Sequence, residues 1–181
     1  MKTLQEICAE LELLPPGHRK HDQLQEAWAD FVNDFPWQWF VTLTFRDEVH
    51  PEKAMKLFRV WIRALNYYLF GKSATRKGRS VYYVVAHEYQ KRGVLHFHAL
   101  IGADIALTER ITFGGDKSDL GCLMYWNELW YSMAGICRVE EIKSKEAVAN
   151  YISKYVIKDG QIDVSANLKY HRPGQPETLD R

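Results

Sequence analysis

No uninterrupted apolar run in these 181 residues is long enough to span a bilayer, and residues 1–6 (Met-Lys-Thr-Leu-Gln-Glu) open no apolar signal region. The expectation is a cytoplasmic protein with no membrane partner. Cysteine is scarce: Cys8, Cys122 and Cys137 are odd in number and lack metal-ligand spacing, which speaks for reduced thiols and against a disulfide framework or a thiolate zinc site. Charge of either sign in excess is also missing. With 24 Lys and Arg against 23 Asp and Glu the net charge is +1, so any nucleic-acid footprint must be local. There is no internal repeat and no low-complexity tract. A phosphate-binding loop is absent too: Gly71-Lys72-Ser73 has its tail, but Asn66 stands where the first glycine belongs, and a helical pattern precedes it.

What is present is ample core material, 46% hydrophobic and 13% aromatic, enough for one domain. Residues 1–36 read as an N-terminal helical extension, with Leu4, Ile7, Leu11 and Leu14 at helical spacing, then Leu24, Ala27, Trp28, Phe31 and Val32 after the Pro15-Pro16-Gly17 break. Residues 39–45 alternate as a strand, Val41, Leu43 and Phe45 against Thr42 and Thr44. Residues 51–70 form an amphipathic helix that buries Ala54, Leu57, Phe58, Trp61, Ile62 and Leu65 and exposes Lys53, Lys56, Arg59 and Arg63. With Lys72, Arg76, Lys77 and Arg79 in the following loop, that edge suits a phosphate-tracking surface, although a solvated face explains either feature alone.

Two strands, a helix over 120–133 and a strand over 135–142 follow, the last with Cys137, Val139 and Glu141 against Ile136, Arg138 and Glu140. The order from Trp39 is strand, helix, strand, strand, helix, strand. That is an α+β, ferredoxin-like or RNA-recognition-like split βαβ sheet with helices on one face. The domain is expected over 37–160, with 161–181, containing Pro173, Gly174 and Pro176, as a tail or linker.

The strands at 81–88 and 95–101 carry the chemistry. Alternation puts His96 and His98 on one face and Leu95, Phe97, Ala99 and Ile101 on the other. Paired imidazoles on a rigid strand suit a divalent metal, although alone they equally suit a solvated sheet face. Lys91-Arg92-Gly93 has the form of a three-residue hairpin loop closing on a left-handed glycine. That loop pairs Gln90 with Val94 and sets Glu88 opposite His96. A two-residue loop would instead bring His87 level with His96. Two histidines and a carboxylate leave coordination positions open, and mixed nitrogen and oxygen donors suit Mn2+ or Mg2+ bound to a phosphate oxygen. Thr42 and Thr44 have hydroxyls to offer that phosphate.

A last helix begins near Ser144. Val148, Ile152 and Val156 form its buried stripe, with Tyr151, Tyr155 and Lys158 beside it and Lys154 on their outer edge. A phenol with a pKa of about 10 is a poor nucleophile unless cations and a polarised phosphate assist it. Beside a metal, these residues point to a covalent phosphotyrosine joint on DNA.

These motifs resemble the HUH endonucleases that initiate rolling-circle replication. Residues 40–45 look like the first motif of that family, His96-Phe97-His98 like its histidine motif and Tyr151-Ile-Ser-Lys154-Tyr155 like its tyrosine motif, here of the two-tyrosine type found in single-stranded DNA phages and some plasmids. The resemblance implies His96, His98 and Glu88 as metal ligands, Tyr151 and Tyr155 as nucleophiles and Lys154, followed by Lys158, as assisting cations. It further implies a single-stranded or hairpin origin as substrate, with host replication machinery or a helicase as possible partners in a bacterial cytoplasm. A transposase of the same class would share every motif, a relaxase would usually bring a histidine triad, and a non-catalytic module would use its aromatics to stack bases.

Overall fold

The computed structural model describes residues 18–72, 80–91, 93–103, 119–142, 144, 148 and 161–171; within it, residues 18–22, 24, 25 and 119–125 are described as backbone only. Nine elements run in chain order: α1 His18–Asn33, β1 Trp39–Phe45, α2 Pro51–Phe70, β2 Tyr82–Tyr89, β3 Leu95–Gly102, α3 Asp119–Met133, β4 Gly135–Glu141, β5 Ile162–Val164 and a 3-10 turn Leu168–Tyr170. The five strands form one sheet in the order β4-β1-β3-β2-β5, and every neighbouring pair is antiparallel. This is the split βαβ arrangement expected from the order of elements, an α+β fold.

The alternation within β1 divides the sheet into two faces. Trp39, Val41, Leu43 and Phe45 point into the main core, where α2 and α3 meet them through Phe58, Trp61, Leu65, Trp126 and Trp130. Pro51 presets the first turn of α2, and Gly71 closes it in a left-handed conformation (φ 78°), with its N–H donating to the Tyr67 carbonyl at 2.9 Å. All six tryptophans of the chain are buried, so none is a surface platform for a base.

A second, smaller cluster covers one end of the opposite face. Trp28 and Val32 of α1, with Phe35, Trp37, Val148 and Leu168, pack onto Tyr82, Val84 and Leu100 of the sheet. The N-terminal extension is therefore a packing element, and it masks only part of that face. The sheet also continues past residue 160. Residues 161–171, expected as part of a tail, supply β5, which pairs with residues 84–86 of β2, and the buried Leu168. A strand of only three residues, Ile-Asp-Val, is too short to leave a period-two signal in the sequence.

Cys137 lies within the main core, and burial pushes its thiol up to about 12. At pH 8 only about one such thiol in ten thousand is ionised, and the thiolate is the nucleophile. Iodoacetamide is therefore expected to leave Cys137 unmodified in the folded protein and to modify it fully in guanidinium, as peptide mapping by mass spectrometry would show.

Candidate functional site

The histidine face is organised by the hairpin between β2 and β3. The Gln90 N–H donates to the Val94 carbonyl (2.9 Å) and the Gly93 N–H to the Gln90 carbonyl (2.8 Å), while Gly93 takes the left-handed conformation at φ 80°. This is the three-residue closure, and it fixes the register. Glu88 lies directly opposite His96, and Ala86 opposite His98. Across β3, Thr44 faces His96 and Thr42 faces His98. Glu88, His96, His98, Thr42 and Thr44 therefore share one face.

The side chains converge as that register requires. Glu88 Oε2 lies 3.0 Å from His98 Nε2, both groups largely removed from solvent. The Thr42 hydroxyl is 3.3 Å from His98 Nδ1, so both ring nitrogens of His98 are engaged. The rings of His96 and His98 are 6.1 Å apart. Phe40 stacks on His98 with centroids 6.1 Å apart and planes 15° from parallel. Phe40 also packs against the second cluster, so the apolar cover ends where the polar site begins.

His87, which a different turn would have brought to the site, points through the sheet. Its ring sits 4.6 Å from that of Phe97, and Nε2 lies 3.0 Å from Asp163 Oδ2 on β5. Burial holds the His87 imidazole below its ordinary pKa, with Asp163 pulling in the opposite direction. On that same side Tyr83 is raised by burial, partly offset by Arg59. The exposed Lys53, Lys56, Arg59 and Arg63 lie on α2, the helix that packs on the main core. The basic helix edge noted in the sequence is thus across the sheet from the histidines.

The donors facing one another for an ion are two imidazoles and one carboxylate, an open set suited to a divalent cation. Among the described residues no group of three His, Cys, Asp or Glu side chains is gathered closely enough to hold an ion, because Glu88 and His98 engage each other directly. The backbone already meets the requirement, since cross-strand neighbours hold their Cβ atoms about 5 Å apart. Side-chain rotation is all that separates this arrangement from a three-donor site, so the residues fit the ion.

Tyr151, Lys154, Tyr155 and Lys158 lie outside the described residues. On either side of that segment, Val148 is buried in the second cluster and the Gln161 carbonyl accepts the His87 N–H at 2.9 Å. The sequence reading passed over two residues of the histidine face: Phe40, whose ring lies on His98, and Arg138, opposite Thr42. Strand alternation could have found both, but only with the order of the strands in hand.

Residues 38–160, more than half of the chain, match the family model for the replication-associated protein ORF2. The chain belongs to this family of replication-associated proteins. Membership bears out the resemblance to rolling-circle replication initiators. The matched span holds β1 through β4 with every residue of the histidine face named above, and it ends just before β5. No curated protein matches the chain. Among solved structures, the nuclease domain of the minute virus of mice non-structural protein-1 is 11% identical with a TM-score of 0.25, covering 84% of this chain and 74% of that one. That domain is described as having Zn2+ coordination in its active-site pocket and a mode of DNA recognition at the origin of replication. A likeness of that size carries no argument about this member of the replication-associated family. No helix among the described residues is long and apolar enough to cross a membrane.

Proposed function

We propose that this chain is a metal-dependent endonuclease that nicks and rejoins single-stranded DNA at a replication origin through a 5′-phosphotyrosine intermediate. The observation that carries the reading is the convergence of Glu88, His96 and His98 on one sheet face, with Glu88 3.0 Å from His98, in a chain of a replication-associated family. A divalent ion, Mn2+ or Mg2+, held by these three residues would polarise the scissile phosphate.

The chain's own residues do the rest. Tyr151 or Tyr155 attacks phosphorus through its phenol oxygen, the bond from phosphorus to the 3′ oxygen breaks, and that oxygen leaves as a 3′-hydroxyl after taking a proton. Lys154 and Lys158 stabilise the phenolate and the charge on the phosphoryl oxygens. Rejoining is the reverse, a 3′-hydroxyl displacing the tyrosine. Two tyrosines allow a second cleavage while the first remains esterified, as termination of a round of replication demands. The Thr42 hydroxyl beside His98 Nδ1 orients the imidazole, as groups behind metal ligands commonly do. Host replication machinery or a helicase would act on the released 3′ end in the bacterial cytoplasm.

A transposase would use the same groups on terminal-repeat DNA. The stacking-module alternative loses its main supply, because every tryptophan is in a core. The test is electrophoresis of end-labelled origin-like and terminal-repeat hairpins incubated with the protein. Cleavage of origin hairpins that stops with chelator and returns with Mn2+ supports the reading. Metal-independent binding without cleavage of any strand contradicts it.

A further inference from the structure

Phosphate recognition on the histidine face has an unassigned candidate at its edge. β4 is an outer strand of the sheet, and its residues Ile136, Arg138 and Glu140 lie opposite Thr44, Thr42 and Phe40. Directly opposed residues of antiparallel strands share a face. One row therefore runs Arg138, Thr42, His98, and the next runs Ile136, Thr44, His96, Glu88. Cys137 and Val139 of the same strand turn into the main core. Among the described strand residues of the histidine face, Arg138 is the one lysine or arginine.

We propose that Arg138 binds a backbone phosphate of the single strand that crosses this face, with Glu140 as the internal carboxylate that the phosphate displaces. The inference deepens the proposed nicking function and rests on it. Adjacent strands are about 4.8 Å apart, so Arg138 begins about 10 Å from His98, and an extended arginine covers most of that span. Its Nη2 is 2.9 Å from Glu140 Oε1, in a pair whose side chains are 73% and 46% exposed. Exposed pairs of this kind are weak, whereas a guanidinium meets a phosphate through two parallel hydrogen bonds. Exchange of partners is therefore downhill once a strand arrives. Ile136, 64% exposed beside Thr44, offers apolar surface to a sugar or base next to that phosphate. The lysines and arginines of α2 serve no such purpose, being across the sheet.

Because the pair is self-neutralising, its two members should act on DNA in opposite directions. Binding of a fluorescent single-stranded oligonucleotide is measured by polarisation in chelator at several salt concentrations, beside nicking with Mn2+, with melting curves to confirm folding. Arg138→Gln is expected to weaken binding about tenfold, the scale of one charge-assisted contact. The slope of log affinity against log salt should fall by about 0.7, the value of one single-strand phosphate. Arg138→Lys should keep the slope, and Glu140→Gln should tighten binding. Nicking-competent protein whose affinity and salt slope ignore Arg138→Gln overturns this assignment and leaves the function standing. Wild-type protein that neither binds nor nicks any strand overturns both.

Discussion

Replacing His98 with alanine is expected to lower metal-dependent nicking by more than the roughly 10–100-fold that loss of a group behind a metal ligand costs, while the protein still unfolds cooperatively. His98 is the junction of the site: Glu88 meets one ring nitrogen, Thr42 the other, and Phe40 covers the ring. Its removal takes away a donor and leaves Glu88 without that partner. His96→Ala should match it in nicking, since His96 lies opposite both Glu88 and Thr44. Thr42→Val removes only the hydroxyl at Nδ1 and is expected to cost about tenfold. Nicking rates with saturating Mn2+, alongside titration of Mn2+ by electron paramagnetic resonance, separate lost metal affinity from lost turnover. Histidine variants with full activity would remove the metal from the mechanism.

The second large effect is on stability. Phe97 stands between the two histidines but points into the main core. It is fully buried, with ring centroids 5.3 Å from Phe45, 5.8 Å from Phe58 and 4.6 Å from His87. Phe97→Ala deletes a ring from a close-packed layer and is expected to cost about 3–5 kcal/mol, a large share of a typical total of about 5–15 kcal/mol. Phe97→Leu keeps most of the volume and should cost about 1.5 kcal/mol or less. Urea unfolding followed by tryptophan fluorescence reads both, since the buried tryptophans report on the core. A Phe97→Ala protein as stable as the parent would mean that β3 does not face α2 and α3 as described.

The contrast between these neighbours shows what the sequence could carry. Alternation along a strand assigns His96 and Phe97 to opposite faces without further information, and a glycine after Lys91-Arg92 selects the loop that sets Glu88 against His96; both expectations agree with the register found. The bounds of α2 were equally plain, because twenty residues of helical periodicity end at glycine. Long-range pairing was not legible. Whether β4 lies beside β1, and so whether Arg138 faces Thr42, depends on contacts nearly a hundred residues apart, for which local pattern has no signal. The same limit applies to β5: three residues are too few to show a period, and their pairing with residues 84–86 comes from the partner strand. The basic edge of α2 was visible as composition, but only packing shows which side of the sheet it occupies.

The covalent intermediate is tested most directly by the mass of the product that carries it. The protein, incubated with Mn2+ and a single-stranded origin hairpin labelled on the 5′ side of its sequence and separately on the 3′ side, is analysed by denaturing electrophoresis and intact mass spectrometry. The expected species is heavier by the 3′ fragment alone, attached through its 5′-phosphate to Tyr151 or Tyr155, retained in part by each single Tyr→Phe variant, and lost in the double variant and in chelator. Cleavage with no protein-bound fragment, or an adduct that survives in Tyr151→Phe with Tyr155→Phe, would contradict the phosphotyrosine mechanism.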